Sequence, residues 1–186
     1  MLATSNLGKI KEAKEILSHY GMSVEQFNGK GTEIQADTNG EVAAYASRGA
    51  AFSAGEPVLV EDAGLYVRSL RGFPGPYSAY VFKTIGVAGI ISLIGEGRAK
   101  GRAARFESSV AYCEPGGEPR LFDGSVAGTI SSEPRGDRGF GFDPIFVPTG
   151  SARTFGELTL REKCAVSHRA AAMRKFAEWY LSRAPG

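Results

Sequence analysis

Five short segments hold side chains whose types and spacing could do chemistry. The first is Thr4-Ser5-Asn6-Leu7-Gly8-Lys9, between an apolar stub and a helical repeat. A helix start offers unpaired backbone N–H groups and the positive end of the peptide dipoles. Gly8 permits close approach, Ser5 and Asn6 can donate hydrogen bonds, and Lys9 brings a full charge, a set that suits a phosphate. Ser5 or Asn6 could equally serve only as the helix cap. The spacing is not GxxxxGK[ST], so a P-loop is excluded. The second segment is Glu61-Asp62-Ala63-Gly64, where two acids close the apolar run Val58–Val60. Ligands of α/β sheets sit beyond the carboxyl ends of strands. Adjacent strand residues point to opposite faces, so only one acid can face a site in regular geometry. The alternative is that both are solvated at a strand end.

The third segment is Glu33-Ile34-Gln35, with Asp37 and Glu41 nearby. A hard cation such as Mg²⁺ takes few carboxylates beside phosphate oxygens and water, so one or two of these acids would suffice. An acidic loop before a helix also complements the helix dipole, the reading favoured for Glu41. The fourth is Gly139-Phe140-Gly141-Phe142-Asp143-Pro144. Its rings could stack on a base and Asp143 could accept from base N–H groups. The other reading is a turn whose aromatics plug the core, which is the expectation for Phe142. The fifth joins Lys163 to Ser167-His168-Arg169 at a helix start. Imidazole, guanidinium and helix end make a donor-rich site for a carbonyl oxygen or phosphate, or an ordinary solvated helix start. His19, beside Gly21, reads as surface.

Elements of regular structure must position these segments. Met1–Thr4 reads as the tail of a strand. Ile10, Ala13, Ile16, Leu17 and Tyr20 follow helical spacing, with Gly21 as the stop. Val24–Phe27 is a second strand, Glu41–Phe52 an alanine-rich helix and Pro57–Val60 a buried strand, with Gly64–Leu70 extended. Phe73–Pro76 is a rigid turn. Tyr77–Ile94 holds one or two helices with a break at Gly86. Arg105–Cys113 and Arg120–Ile130 flank a Pro-Gly-Gly-Glu-Pro turn and predict an antiparallel hairpin. Ser167–Arg183 is a long helix with Ala171, Ala172, Phe176, Trp179 and Tyr180 inward. The order predicts a single α/β domain over 1–186 with a mixed sheet.

Composition narrows the classes. The 186 residues are 42% hydrophobic and 23% charged, as in ordinary globular domains. A net charge of +2 lacks the basic excess that nucleic-acid or membrane surfaces require. The two cysteines, Cys113 and Cys164, have no metal-binding spacing and are expected reduced, in a cytosolic protein. No signal peptide is evident, and the most apolar stretch, Val87–Ile94, is too short to span a bilayer.

Taken in order, the segments resemble the inosine triphosphate (XTP/dITP) pyrophosphatase family, which acts on non-canonical purine nucleoside triphosphates. The matches are TSNLGK at Thr4–Lys9, EIQ at Glu33–Gln35, EDAGL at Glu61–Leu65, GFPGPYSAY at Gly72–Tyr80, PRGDRGFGFDPIF at Pro134–Phe146, TFGEL at Thr154–Leu158, Lys163, and SHR at Ser167–Arg169. The resemblance spans nearly the whole chain and looks archaeal in YSAY-V-F with Thr84-Ile-Gly86. It implies a long, mixed, strongly twisted sheet with flanking helices, in two lobes around a nucleotide cleft. It also implies a homodimer, a Mg²⁺ requirement, and hydrolysis of ITP, dITP or XTP to monophosphate and pyrophosphate.

Carried over residue by residue, Thr4 to Lys9 would hold the triphosphate and Glu33 and Asp62 the metal, with Asp62 also the general base. Phe140, Gly141, Phe142, Asp143, Lys163, His168 and Arg169 would bind the nucleotide, mostly at its base. Ala63 stands where many members have a substrate-contacting Ser or Thr. Tyr80 stands where bacterial members have Arg, and Ala46 stands near a lysine that bacterial members use for phosphate. Met1 lies three residues before Thr4, so the first strand is expected to be short, with the completeness of the start left open. The competing readings are a pyrophosphatase for pyrimidine or modified nucleotides, and a non-catalytic nucleotide-binding regulator, which would not need Glu33 and Asp62. A nucleic-acid-binding module is disfavoured by the charge balance.

Overall fold

A computed structural model of the chain describes residues 1–29, 34–95 and 101–183. Among them the order is β1 (Leu2–Ala3), α1 (Leu7–Ser18), β2 (Gln26–Phe27), α2 (Asn39–Ala54), β3 (Val58–Val67), β4 (Pro74–Gly75), α3 (Ser78–Thr84), α4 (Gly86–Ile94), β5 (Ala103–Cys113), β6 (Arg120–Ile130), β7 (Phe146–Pro148), α5 (Leu160–Val166) and α6 (His168–Ser182). The strands form one open seven-stranded sheet in the order β2-β1-β3-β5-β6-β7, with β4 beside β3. β1 is parallel to β2 and β3, and the remaining pairings are antiparallel. This is the mixed α/β sheet expected from the element order. No described helix is long and apolar enough to cross a membrane.

Three details differ from the sequence reading. Glu61 and Asp62 do not close a strand: β3 continues to Val67, and both acids lie in its middle, paired in register with Val110 and Ser109 of β5. Buried charge is tolerated in mid-strand when partners arrive from distant segments. α1 ends at Ser18 with His19 as its cap, two residues before Gly21, which takes the positive φ of the following turn. On α6 the buried stripe is Ala170, Ala172, Met173, Phe176 and Ala177, and Tyr180 is exposed. Gly86, at positive φ, does separate α3 from α4. Both cysteines are free and buried.

One face of the sheet explains where a site can form. Side chains alternate across a strand, so Leu59, Glu61, Ala63, Leu65 and Val67 of β3 share a face. Phe106, Ser108, Val110 and Tyr112 of β5 share it too, by their register. Leu59, Val110, Tyr112 and Phe122 pack against α1 and α6 in one apolar cluster. Leu65, Val67, Phe106 and Ile130 pack with Val81, Ile90, Phe142, Ile145, Phe146 and Phe155 in a second. Burying one such large side chain stabilises by about 1.5–3 kcal/mol. Between the two apolar ends lies a polar belt of Glu61 and Ser108. The opposite face is covered by α2, whose Ala43, Ala46, Ala50 and Ala51 meet Val58, Val60 and Ala111.

α6 crosses the belt because β6 lets it in. Gly124 faces the helix so closely that a Cβ there would lie 2.3 Å from the Ala172 nitrogen and 2.3 Å from the His168 carbonyl oxygen. That approach carries the start of α6, and with it His168 and Arg169, down onto Glu61.

Candidate active site

β3 has an open stretch of backbone at the belt. On the side away from β5, β1 pairs with it only at Leu59 and β4 only at Leu65 and Tyr66. Among the described residues, the backbone from Val60 to Gly64 has no strand partner there. The Thr4–Lys9 segment lies against this gap. Lys9 Nζ donates to the Glu61 carbonyl at 2.8 Å and lies 3.0 Å from Glu61 Oε2. The contact with Oε2 is ionic, since that oxygen has no well-directed hydrogen bond among the described residues. Asn6 caps α1, its Oδ1 accepting from the Gly8 and Lys9 amides at 2.9 and 3.3 Å. Thr4 Oγ1 accepts from the Asn6 amide. The helix-cap alternative therefore holds for Asn6, while the exposed Ser5 hydroxyl and the Leu7 side chain, 64% exposed, face solvent. Gly8 stands against the Phe140 ring, which a Cβ would meet at 2.3 Å.

Behind the gap runs a chain of alternating charges. Asp143 accepts from Lys163 Nζ at 2.5 Å, and Lys163 also donates to Glu12 Oε1 at 2.7 Å. Glu12 Oε2 accepts from Arg169 Nη1 at 2.5 Å, and Arg169 Nη2 lies 3.1 Å from Glu61 Oε1. Ser108 donates to the same Glu61 oxygen at 2.6 Å, and Lys9 ends the chain. Three acids face three bases, so the chain is neutral. Five of its six members are nearly inaccessible: Glu12 2%, Glu61 4%, Asp143 2%, Lys163 3% and Arg169 1% exposed. Burial alone would raise the Glu61 carboxyl, but Arg169, Lys9 and Ser108 hold it well below the usual range. Glu12 is likewise lowered, with Arg169 and Lys163 overcoming its burial.

The aromatic segment divides between the two readings open for it. Phe142 is 3% exposed and sits edge-on to Phe82 in the second apolar cluster, so its ring is the core plug its spacing led us to expect and does not reach a base as the resemblance implied. Phe140 is partly exposed, with Lys163 Nζ 4.8 Å and the Arg169 guanidinium 5.4 Å from its ring centre. Gly141 is in a left-handed turn that separates the two rings. Asp143 Oδ2 is committed to Lys163 and to the Phe140 amide, at 2.8 Å, so it orders this turn.

His168 and Arg169 are buried, against the alternative of a solvated helix start. The His168 ring stacks on Phe106 at 4.6 Å between centroids. Burial, and then the Arg169 charge, push its pKa well below the ordinary value, so it is neutral. Its Nδ1 and the Arg169 Nε are buried and, among the described residues, have no hydrogen-bond partner. Buried polar groups are normally paired, so these two orphans mark a place for a ligand: the guanidinium N–H can only donate, and the neutral imidazole nitrogen donates in one tautomer and accepts in the other.

Asp62 is turned to the α2 face by the pleat, away from Glu61. Asn39 Nδ2 donates to its Oδ2 at 2.6 Å, and Asn39 Oδ1 accepts from Tyr66 at 2.5 Å. Burial raises the Asp62 pKa, with Lys9 and Asn39 opposing. Glu12, Glu61 and Asp143 are each neutralised by a lysine or arginine; Asp62 has no ion-pair partner among the described residues. Of the expected metal ligands, Asp62 therefore has charge to offer a cation, and Glu33 lies outside the described residues. Glu41 forms a capping box with Thr38, the dipole-side role expected for it. Ala63 is half-buried on the Glu61 side of the belt.

Sequence reasoning missed Glu12, Ser108, Asn39 and Tyr66. Glu12 had a signal: it is one helical turn beyond Lys9 and shares its face. Ser108 had one in register, as a polar residue between Phe106 and Val110 on a buried face.

The sequence model described as the Ham1 family matches residues 1–179. The chain is 53% identical to a dITP/XTP pyrophosphatase of Methanopyrus kandleri, over 100% of this chain and 98% of that one. It is 50% identical to a dITP/XTP pyrophosphatase of Thermococcus kodakarensis, over 95% and 94%. Among solved structures it is similar to a HAM1 protein from Coxiella burnetii, with a TM-score of 0.85 and 28% identity over 97% of both chains.

Proposed function

The chain belongs to the Ham1 family, and from that premise we propose that it hydrolyses non-canonical purine nucleoside triphosphates, dITP, XTP and ITP, to monophosphate and pyrophosphate. The observation that carries this reading is the unpaired edge of β3. There, among the described residues, an acid without a counter-ion, a lysine and two buried nitrogens without partners lie about one open stretch of backbone.

In the proposed reaction water attacks the α-phosphate in line. Asp62, whose raised pKa makes it a stronger base than a surface aspartate, orients the water and takes its proton. Lys9 and the unpaired polar groups at Ser5–Leu7 hold phosphate oxygens and stabilise their charge. A Mg²⁺ ion held by Asp62 and Glu33 would supply neutralisation of the phosphate oxygens. Arg169 and His168 read the base. A 6-oxo purine presents an acceptor where adenine presents a donor, so adenine leaves the buried donors unpaired. Phe140 closes the base end by stacking.

Asp62→Asn tests the assignment. Turnover of dITP is expected to vanish while nucleotide affinity persists; a variant turning over at the wild-type rate would refute it. Preference for dITP and XTP over dATP and dUTP tests the substrate class. A Mg²⁺ requirement and a homodimer are part of the proposal, checked by metal titration and light scattering; the exposed Tyr77, Tyr80 and Phe82 at α3 suit an interface.

A further inference from the structure

Asp62 is held by a relay that involves none of the segments that carry the family resemblance. Asn39, buried at the first position of α2, spends both ends of its amide on it: Nδ2 donates to Asp62 Oδ2 at 2.6 Å, and Oδ1 accepts from the Tyr66 hydroxyl at 2.5 Å. The polarity of this chain is forced. An ionised carboxylate can only accept, so the amide nitrogen must face Asp62 and the amide oxygen must face Tyr66, which must donate. Tyr66 keeps its proton to do so: burial and the nearby Glu107 and Asp62 push its pKa up to about 12.

Three independent pieces of structure fix the two residues. The capping box of Thr38 and Glu41 sets the start of α2 and hence Asn39. Tyr66 lies four residues beyond Asp62 on β3, on the same face, and its ring is covered by the Arg105 guanidinium at 4.8 Å, itself bonded to Glu107. Gly64, between them, leaves room for the turn opposite: a Cβ there would lie 2.3 Å from the Gly75 carbonyl oxygen and 3.2 Å from the Tyr66 ring. A bond between two groups fixed in this way holds the carboxylate at little further cost in conformational entropy.

We propose that Asn39 and Tyr66 are positioning residues, which clamp one oxygen of the Asp62 carboxylate so that the other is presented to the reacting water. The proposal rests on the reading of Asp62 as the base. Tyr66 acts only through Asn39.

The test measures kcat and KM for dITP in the full chain carrying Asn39→Ala, Tyr66→Phe or both, with melting curves for each. Misplacing a base by about an ångström costs up to roughly a hundredfold. Asn39→Ala is therefore expected to lower kcat by about tenfold to a hundredfold with KM within about twofold. Tyr66→Phe, which keeps the ring and its arginine cover, is expected to lower kcat less. The double variant should match Asn39→Ala alone, because the phenol has nothing left to orient. A merely structural role would lower the melting temperature and leave the kcat of the folded fraction intact. The clamp is overturned by wild-type kcat in Asn39→Ala, by a loss confined to KM, or by an undiminished Tyr66→Phe effect on the Asn39→Ala background. Absence of dITP hydrolysis by the wild-type chain, or full turnover by Asp62→Asn in the same assay, would instead remove the reading of the site beneath it.

Discussion

Glu12→Gln is the substitution from which the charge chain predicts most. Glu12 is the central acid, bonded to Lys163 at 2.7 Å and to Arg169 at 2.5 Å, all three almost wholly buried. Breaking a buried ion pair by removing one partner costs about 3–5 kcal/mol, because the remaining charge is left without compensation. Here Lys163 retains Asp143 and Arg169 retains Glu61, so the lower end, about 3 kcal/mol, is expected. For a chain of this length that is a fall in melting temperature of roughly 6–12 °C. Urea unfolding at pH 7 measures the cost directly. The pH dependence has a definite sign. The folded-state pKa of Glu12 is lowered, so its contribution is complete above the ordinary glutamate value and is lost as pH falls through that range toward the folded value. The gap between wild type and Glu12→Gln should therefore narrow on acidification below about pH 4.5. A cost under about 1 kcal/mol at pH 7, or a gap that widens in acid, would refute the reasoning, since a surface pair gives no more than that.

Three further outcomes follow from the close contact at Gly124 and the buried, unpartnered nitrogen of His168. Gly124→Ala should destabilise by about 3 kcal/mol, because the added carbon meets backbone atoms of α6 that cannot rotate away; chemical denaturation with an unchanged midpoint would contradict the contact. His168→Ala should reduce the preference for dITP over dATP by roughly tenfold to a hundredfold, the worth of one buried unpaired donor. Since burial keeps His168 neutral, the wild-type preference should be flat between about pH 6 and 8, and a steep change across that range would count against the assignment.

Local pattern revealed more of the fold than of the site. The α1 repeat, the alanine-rich α2, the break at Gly86 and the β5–β6 hairpin are each written in periods or turn residues within a short window, and the structure has them within a few residues. Glu61 and Asp62 read as a strand end because they follow the short apolar run Val58–Val60. What makes them affordable, Arg169 and Lys9 on one face and Asn39 on the other, comes from segments up to about a hundred residues away. The same is true of Asp143, legible as a polar residue but not as the anchor of Lys163. Phe140 and Phe142 are chemically identical two residues apart, and only the left-handed turn at Gly141 decides which one reaches the core.

The charge chain also sets an order of events during synthesis. Glu12 precedes Lys163 by 151 residues and Arg169 by 157. The acid therefore leaves the ribosome long before its counter-ions do. Until α5 and α6 are made, α1 and β3 cannot bury Glu12 and Glu61 without leaving them uncompensated, so the first apolar cluster stays open along the whole nascent chain. The contacts of Glu12 with Lys163 and Arg169, 151 and 157 residues on, close a long loop at a matching cost in chain entropy, and the proposed nucleotide pocket is completed only at that joining. A ribosome-stalled chain ending before α5 should therefore hold its β5–β6 hairpin yet have no place for a purine.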